Sequence, residues 1–333
     1  MSRRIVLVTG GAGFIGSNIV AKLAEDRGLD VVVCDWLGEA SLGKWRNLAG
    51  RPIFDFVAPE ALFAWLARNG AAVDLVVHMG AISSTTEPDA DLIVRANFTL
   101  SRDLFLWCAE AGARLIYASS AATYGDGALG FNDDDDPAAL AALRPLNAYG
   151  WSKWLFDLFA ARHAARGLAP RQWVGLKFFN VYGPNETHKG DMKSVAAQIW
   201  PKVRDGAPVS LFQSHRSDIS DGGQARDFVY VRDAAEIVAW LVKTPAVCGV
   251  YNLGSGRART FEALAQAVFA AAGKPANIAY VPMPEAIRDK YQYFTEARMG
   301  RLQAAGYNAP MTPLEAGVAE YVRGFLSASD PAR

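Results

Sequence analysis

Tyr149-Gly150-Trp151-Ser152-Lys153 sets a phenol and an ammonium four residues apart, which on a helix is one face. That spacing suits a phenolate base. A free tyrosine has a pKa of ~10 and is a poor base at neutral pH, so neighbouring positive charge is needed to favour its ionised form. Ser119-Ser120 follows the apolar run Leu115 to Tyr117, where a hydroxyl can meet both a substrate alcohol and the tyrosine oxygen. Alone, Tyr-x-x-x-Lys is common on amphipathic helices. Joined to a Ser-Ser strand end and a glycine-rich turn upstream, it points to proton transfer coupled to oxidation and reduction of a carbinol carbon.

That turn is Thr9-Gly10-Gly11-Ala12-Gly13-Phe14-Ile15-Gly16. Its glycines stand where a strand must turn sharply, let its backbone approach a pyrophosphate, and pack a helix closely on the sheet. The run Ile5 to Val8 precedes it, and Phe14, Ile15, Ile19, Val20 and Leu23 follow on one helical face. Asp35 lies nineteen residues after Gly16, at the end of a second β-rich run. Together these indicate a dinucleotide site, with a helix N-terminus facing the phosphates. The Asp35 carboxylate favours a ribose hydroxyl and hence NAD, whereas Lys44 and Arg46 can neutralise the 2′-phosphate of NADP, so both cofactors stay open.

The elements that must position these groups follow from apolar runs. Val31 to Cys34, Val73 to Val77, Leu115 to Tyr117 and Val174 to Phe178 are each separated by enough residues for a helical crossover. The expected fold is α/β: a Rossmann-type doubly wound parallel sheet with a smaller C-terminal substrate-binding domain. After Phe179 the alternation weakens, through a loop-like stretch at 185–191, a polar one at 214–224, and Pro282 and Pro284. The expected division is 1–178 and 225–247 for the dinucleotide-binding part, and 179–224 and 248–333 for the substrate part. A return to the sheet is expected around Phe228 to Val231.

With 51% apolar and 20% charged residues, disordered and low-complexity classes are excluded. Thirty-four basic against 34 acidic side chains leave no net field for a nucleic acid or an anionic membrane. Cys34, Cys108 and Cys248 are few and far apart, which fits a reducing compartment. Glycines cut the first apolar run short of a signal peptide, and no stretch reaches the ~18 apolar residues of a spanning helix, so a cytoplasmic protein is expected. Asp133 to Asp136 reads as a solvated loop rather than a metal site, and His78 as a hydrogen-bonded structural residue. His163 and His215 have no partner at ligand spacing, and no metal is expected.

TGGAGFIG, Asp35, His78-Met79-Gly80-Ala81, Ser119 to Gly125 and Tyr149-x-x-x-Lys153 occur in an order that resembles the extended short-chain dehydrogenase/reductase superfamily of nucleotide-sugar epimerases and dehydratases. The resemblance covers almost the whole chain. Within it, Ser83 to Glu87, Phe179 to Pro184, His188-Lys189-Gly190, Arg226 to Val231 and Tyr291-Gln292-x-Phe294-Thr295 are similar to the ADP-L-glycero-D-manno-heptose 6-epimerases. This resemblance implies inversion at C6 of an ADP-heptose by transient oxidation and re-reduction with bound NADP, in lipopolysaccharide core precursor synthesis. It implies Tyr149, supported by Lys153, as one acid/base group, Lys189 as the second, and Ser120 as a hydrogen-bond donor to the reacting oxygen. Gly10, Gly13, Phe14, Ile15, Gly16, Asp35, Trp36, Lys44, Met79, Gly80, Ala81, Ser83, Asn97 and Val181 would face the cofactor, with Tyr149, Lys153 and Lys189. Ser84, Asn180, Asp191, Gln198, Phe212, Gln213 and Tyr291 would face the substrate, and Arg226 its phosphates; without the resemblance, Arg226-Asp227 reads as a plain ion pair. A homo-oligomer is also implied, a pentamer in the nearest family, with segments near 98–112 and 151–166 as the usual contact surface.

Three departures keep alternatives open. Trp36 stands where the family commonly has Asn, Asp191 where it usually has Ser, and the 214–224 stretch is longer than the pattern. A 4,6-dehydratase needs an acid and a base beside the hydroxyl strand end, where this chain has Ala121 and Ala122. A UDP-hexose 4-epimerase needs only the tyrosine and the cofactor, and nothing in it requires His188-Lys189-Gly190. A non-catalytic dinucleotide-binding scaffold would keep the glycines but has no use for Ser120, Tyr149, Lys153 and Lys189.

Overall fold

In the computed structural model, which describes residues 4–288 and 291–328, the run RIVLVT is strand β1 (Arg4–Thr9), buried everywhere except at Arg4. A strand covered on both faces has no solvent side and so reads as continuous Ile, Val and Leu. Helix α1 (Phe14–Leu23) and strand β2 (Leu29–Cys34) follow the glycine turn. Then come β3 (Asp55–Val57), α2 (Leu62–Asn69) and β4 (Val73–His78). Next are α3 (Ala90–Ile93), α4 (Leu100–Ala111), β5 (Arg114–Ser120), α5 (Pro137–Ala142), α6 (Ala148–Ala164) and β6 (Trp173–Phe178). The second half holds β7 (Asn180–Tyr182), α7 (Val195–Asp205), β8 (Val209–Phe212), β9 (Ala225–Tyr230), α8 (Val231–Lys243) and β10 (Gly249–Leu253). It closes with β11 (Ala258–Thr260), α9 (Phe261–Ala271), β12 (Ile278–Val281), α10 (Glu285–Arg288), α11 (Gly300–Ala304) and α12 (Leu314–Tyr321).

The main sheet has seven parallel strands in the order β10-β6-β5-β4-β1-β2-β3. Chain direction across it reverses between β1 and β4, so a crevice opens beyond the carboxyl ends of those strands, where open α/β sheets bind ligands. The Gly10 turn, Met79-Gly80 and Ser119-Ser120 all stand at that end. Two small sheets, β11-β9-β7 and β12-β8, lie in the second half with their own apolar cluster of Tyr182, Trp200, Phe228, Leu264, Phe269 and Tyr321.

Two expectations change here. The strand at 228–230 does not rejoin the main sheet but is the middle of the small one; β10 rejoins it, beside β6. A boundary at 248 therefore cuts off the edge strand of the large sheet. Both runs are short and apolar, and periodicity alone does not tell which sheet a buried strand enters. The stretch 133–136 is solvated only in part, at exposed Asp134 and Asp136: buried Asp133 accepts from the Asn252 backbone N–H (2.9 Å), Asp135 from the Val250 backbone N–H and Arg301, and Asp136 caps α5. These carboxylates fasten the loop to β10. Among the described residues no helix is long and apolar enough to cross a membrane.

Candidate active site

The cofactor end is shaped by backbone proximity. Gly10 has φ +66°, and a Cβ there would sit 2.6 Å from the Gly80 nitrogen; a Cβ on Gly16 would sit 2.1 Å from the Gly10 carbonyl oxygen. α1 starts at Gly13 without a side-chain cap and without an acidic residue in its first turn, so its leading amides and positive dipole end are left for an anion. These features fit a dinucleotide pyrophosphate. Thr9 ties in β4, its carbonyl accepting from Met79 N (3.0 Å) and its hydroxyl from Gly80 N (3.2 Å). Asp35 is buried and accepts from Ala12 N (2.9 Å), Trp36 N (2.7 Å) and Lys44 Nζ (2.7 Å). Lys44 also donates to the Trp36 carbonyl (2.6 Å), while the Trp36 ring is exposed and donates to Glu60 (2.6 Å). Asn97 is buried and faces protein: it exchanges two hydrogen bonds with the Ile82 backbone and donates to Ser152 Oγ, so it braces the loop bearing Ala81, Ser83 and Ser84.

Ser120, Tyr149 and Lys153 meet where β5 ends and α6 begins. Asn147 caps α6 by accepting from Gly150 N (2.8 Å), which aims Tyr149 from the first turn. The Ser120 side chain faces half-buried Tyr149; burial pushes the phenol above its usual value and Ser120 opposes this. Lys153 Nζ donates to the Ala118 carbonyl (2.9 Å). Burial brings its ammonium down to about 8, with Asp157 acting in the opposite direction. Ser120 thus faces the phenol, and Lys153, on the same helix face, is held by the Ala118 carbonyl.

Lys189 belongs to a short turn at 187–192 and lies half-buried, its Nζ 5.4 Å from the centre of the Phe14 ring. Burial lowers its pKa and Glu186 raises it. Glu186 is itself buried, accepting from Ser194 N, Ser194 Oγ (2.6 Å) and Tyr321 OH (2.9 Å). Asn185, at φ +76°, donates to Ser17 Oγ (2.9 Å); Asn18 donates to Pro184 O (3.0 Å); and Asn47 donates to Ala12 O (2.9 Å) and Asn185 O (3.2 Å). The dinucleotide turn and the Lys189 loop are thus sewn together. Val181 is half-buried on β7, Asn180 and Asp191 are exposed, and Gln198 Nε2 donates to the carbonyls of Asp191 (3.0 Å) and Lys193 (2.7 Å).

At the far end, the Arg226 guanidinium lies 5.3 Å over the Tyr291 ring and 5.5 Å over Phe261, and Phe212 meets Tyr291 edge-on at 6.2 Å. Burial lowers the Arg226 pKa, and Tyr291 opposes this. Arg226 and Asp227 are not an ion pair. Successive strand residues point to opposite faces, and Asp227 instead accepts from Ser255 N, Ser255 Oγ, Gly256 N and Ala297 N. Gln213 is exposed; its amide donates to Val281 O (2.8 Å). The 214–224 stretch is closed by Asp221 on Ser214 N (2.7 Å) and by Tyr293 against His215 (2.8 Å).

Residues 6–254 match the NAD dependent epimerase/dehydratase family. The chain belongs to this family. A relative from Nitratidesulfovibrio vulgaris (strain Hildenborough) named ADP-L-glycero-D-manno-heptose-6-epimerase is 50% identical over 328 residues, 98% of this chain and 99% of that protein. The crystal structure of Helicobacter pylori ADP-L-glycero-D-manno-heptose-6-epimerase superposes with a TM-score of 0.79 at 28% identity, covering 98% and 97% of the two chains. Thermus thermophilus UDP-glucose 4-epimerase, solved with NAD, gives 0.77 at 30% identity over 97% and 99%.

Within the epimerase/dehydratase family the arrangement here favours epimerisation, because Ala121 and Ala122, the first residues of the turn after β5, offer no acid or base for losing water. Three contributors escaped the sequence reading: Glu186, Asn185 and Asn47. Glu186 stands three residues before Lys189, a spacing that within a tight turn brings the two charges together, and this was the available signal. The influence of Asn47 depends on chain segments 138 positions apart and has no local signature.

Proposed function

We propose that this protein inverts C6 of the heptose in ADP-D-glycero-D-manno-heptose, by transient oxidation to a 6-keto sugar and re-reduction on the opposite face, supplying a precursor of lipopolysaccharide core in the cytoplasm. The observation that carries this reading is Lys189, half-buried on the Phe14 ring beside the dinucleotide turn and braced by Glu186 and Asn185. An exocyclic carbonyl turns its other face after a modest bond rotation, so the proton must be handled from two directions. A nicotinamide dinucleotide, when bound, takes and returns the hydride. Tyr149, beside Ser120, takes the hydroxyl proton as C6 is oxidised, and Lys189 gives a proton to the carbonyl oxygen from the other direction as C6 is reduced again; in the reverse reaction the two exchange roles. Arg226 with Tyr291 and Phe212 receives the ADP moiety, since a guanidinium fork suits phosphate oxygens and the rings suit a base.

NADP is the preferred cofactor on this reading. The Lys44 ammonium lies 2.7 Å from the Asp35 carboxylate and offsets its charge, which reduces repulsion of a 2′-phosphate. The half-buried apolar side chains Phe98 and Phe159 on the α4–α6 face, with Leu155 and buried Leu158, support self-association through that face. A light-scattering mass of one chain, 35.9 kDa, refutes that association.

The test is to incubate the protein with NADP and ADP-D-glycero-D-manno-heptose and follow C6 inversion by proton NMR, with Tyr149→Phe and Lys189→Met alongside. Inversion in the wild type, lost in both variants, supports the reaction and both proton-transfer roles. Turnover of UDP-hexoses in place of ADP-heptose moves the protein to the 4-epimerases and makes Lys189 an ordinary loop residue.

A further inference from the structure

One helical turn beyond Lys153, α6 carries Asp157, which the proton chemistry above does not use. Its carboxylate and the Lys177 ammonium from β6 are both wholly inaccessible to solvent, and lie 2.7 Å apart. Replacing such a buried pair by apolar residues of similar size is often neutral or stabilising, so stability is a weak reason for its presence.

Its connections all run to one place. Asp157 Oδ2 also accepts from Ser119 Oγ (2.6 Å), and Oδ1 accepts from Tyr117 OH (3.1 Å). Lys177 stands opposite Ser119 in the sheet and donates to Thr123 Oγ1 (2.7 Å), whose hydroxyl donates in turn to the Ser120 carbonyl (2.8 Å). Lys153 holds the Ala118 carbonyl. Ala118, Ser119 and Ser120, three consecutive residues at the end of β5, are therefore each held by a different member of one network. The Ser120 side chain in turn faces Tyr149.

We propose that Asp157 and Lys177 are positioning residues: the pair fixes the end of β5 so that the Ser120 hydroxyl is aimed at Tyr149, and it holds a carboxylate one turn below the Lys153 ammonium. This rests on the reading of Tyr149, Lys153 and Ser120 as the proton-transfer group. Of the titratable groups facing Lys153 among the described residues, Asp157 shares its helix, while His78 at the end of β4 is kept neutral by burial and by Lys153 itself. Asp157 thus opposes part of the effect that burial has on Lys153.

The test compares Asp157→Leu/Lys177→Met, Ser119→Ala and Lys177→Arg with the wild type on the NADP-loaded protein. The double variant leaves no buried charge unpaired, and Ser119→Ala cuts only the link from the carboxylate to the end of the strand, leaving the one from Tyr117. For the double variant we expect a Tm within about 4 °C of the wild type. Its KM should be little changed and its kcat lower by about 10²-fold, the cost of misplacing a reacting group by about 1 Å. The alkaline limb of its kcat profile should move to lower pH, since Lys153 loses the carboxylate that raises its pKa. Ser119→Ala should lose about tenfold in kcat, a single hydrogen bond's worth, and Lys177→Arg should keep most of the wild-type rate. A folded double variant with wild-type kcat and an unmoved profile overturns the proposal. If that variant does not fold, full activity in Ser119→Ala overturns it. Tyr149→Phe is the separating control: activity there defeats the underlying assignment, whereas its loss beside an active double variant defeats only the positioning role.

Discussion

Substituting Gly16 by alanine tests whether the turn is a cofactor cradle set by backbone contact. The new methyl carbon would lie 2.1 Å from the Gly10 carbonyl oxygen, 2.8 Å from its carbon and 3.0 Å from Gly11 Cα. Ordinary contact is about 3.5 Å, so the turn must open by about 1 Å. All three neighbours are backbone, and no rotamer change relieves them. Overpacking of this kind costs ~1–3 kcal/mol, and the upper end applies where only backbone can yield. At ~2–4 °C per kcal/mol, the apo protein's Tm should fall by roughly 6–12 °C. Displacing the amides that meet the pyrophosphate should remove at least one hydrogen bond to a charged group, ~1.5–3 kcal/mol, or about 10- to 100-fold in affinity. Calorimetric titration with NADP and thermal unfolding without it read the two effects separately. Gly300→Ala is the control, because its Cβ meets nothing within 4 Å and its φ is not positive. Gly16→Ala with wild-type Tm and wild-type Kd would refute the reasoning.

Lys44→Ala should weaken NADP by about tenfold, one charge-assisted contact, while NAD binding changes little; equal losses for both cofactors count against a 2′-phosphate role. Glu186→Gln removes the carboxylate that raises Lys189, so the limb of the kcat/KM profile belonging to Lys189 should move to lower pH. A profile that stays in place disconnects the two residues. Acid sensitivity follows from His78, which burial first and Lys153 second push down to about 3. Its folded pKa lies below its unfolded one, so the unfolded chain binds the extra proton, and the histidine's contribution is whole above pH ~6.5 and falls as pH drops towards 3. Between pH 6.5 and 5 the loss is ~2 kcal/mol. Urea midpoints at those two pH values check this, with His78→Gln expected to show the weaker dependence; equal midpoints in the wild type contradict it.

The parts legible in the sequence are those written in local spacing. β1, β2, β4, β5 and β6 are runs of Val, Ile and Leu enclosed on both faces, and Tyr149 and Lys153 share a helix face by their separation alone. β3 is three residues long, with two of its side chains exposed, too short for a period to register. What stayed hidden depends on pairings between distant segments. Asp133 reads as a solvated charge until Asn252, 119 positions later, presents an amide to it. Arg226-Asp227 reads as an ion pair until the strand's alternation turns the two side chains apart. The same holds for Lys153, whose nearest hydrogen-bond partner is a carbonyl 35 positions earlier and not the phenol four residues before it.

The most consequential of these hidden pairings joins the two halves of the site. Lys189 is carried by the second half of the chain, yet the residues that fix the backbone leading to it come from the first: Ser17 and Asn18 on α1, and Asn47 beyond β2. Asn185 adopts a positive φ that side chains other than Asn and Gly rarely take, and it is buried while doing so. Such a conformation persists where surrounding contacts over-determine it, and here those contacts belong to the helix that opens the dinucleotide turn. The placement of Lys189 is therefore tied to the shape of that turn. A disturbance at Ser17 or Asn47, neither of which needs to touch the sugar, should reach the second proton-transfer group through the 184–186 backbone while leaving Ser120 and Tyr149 on their own separate network.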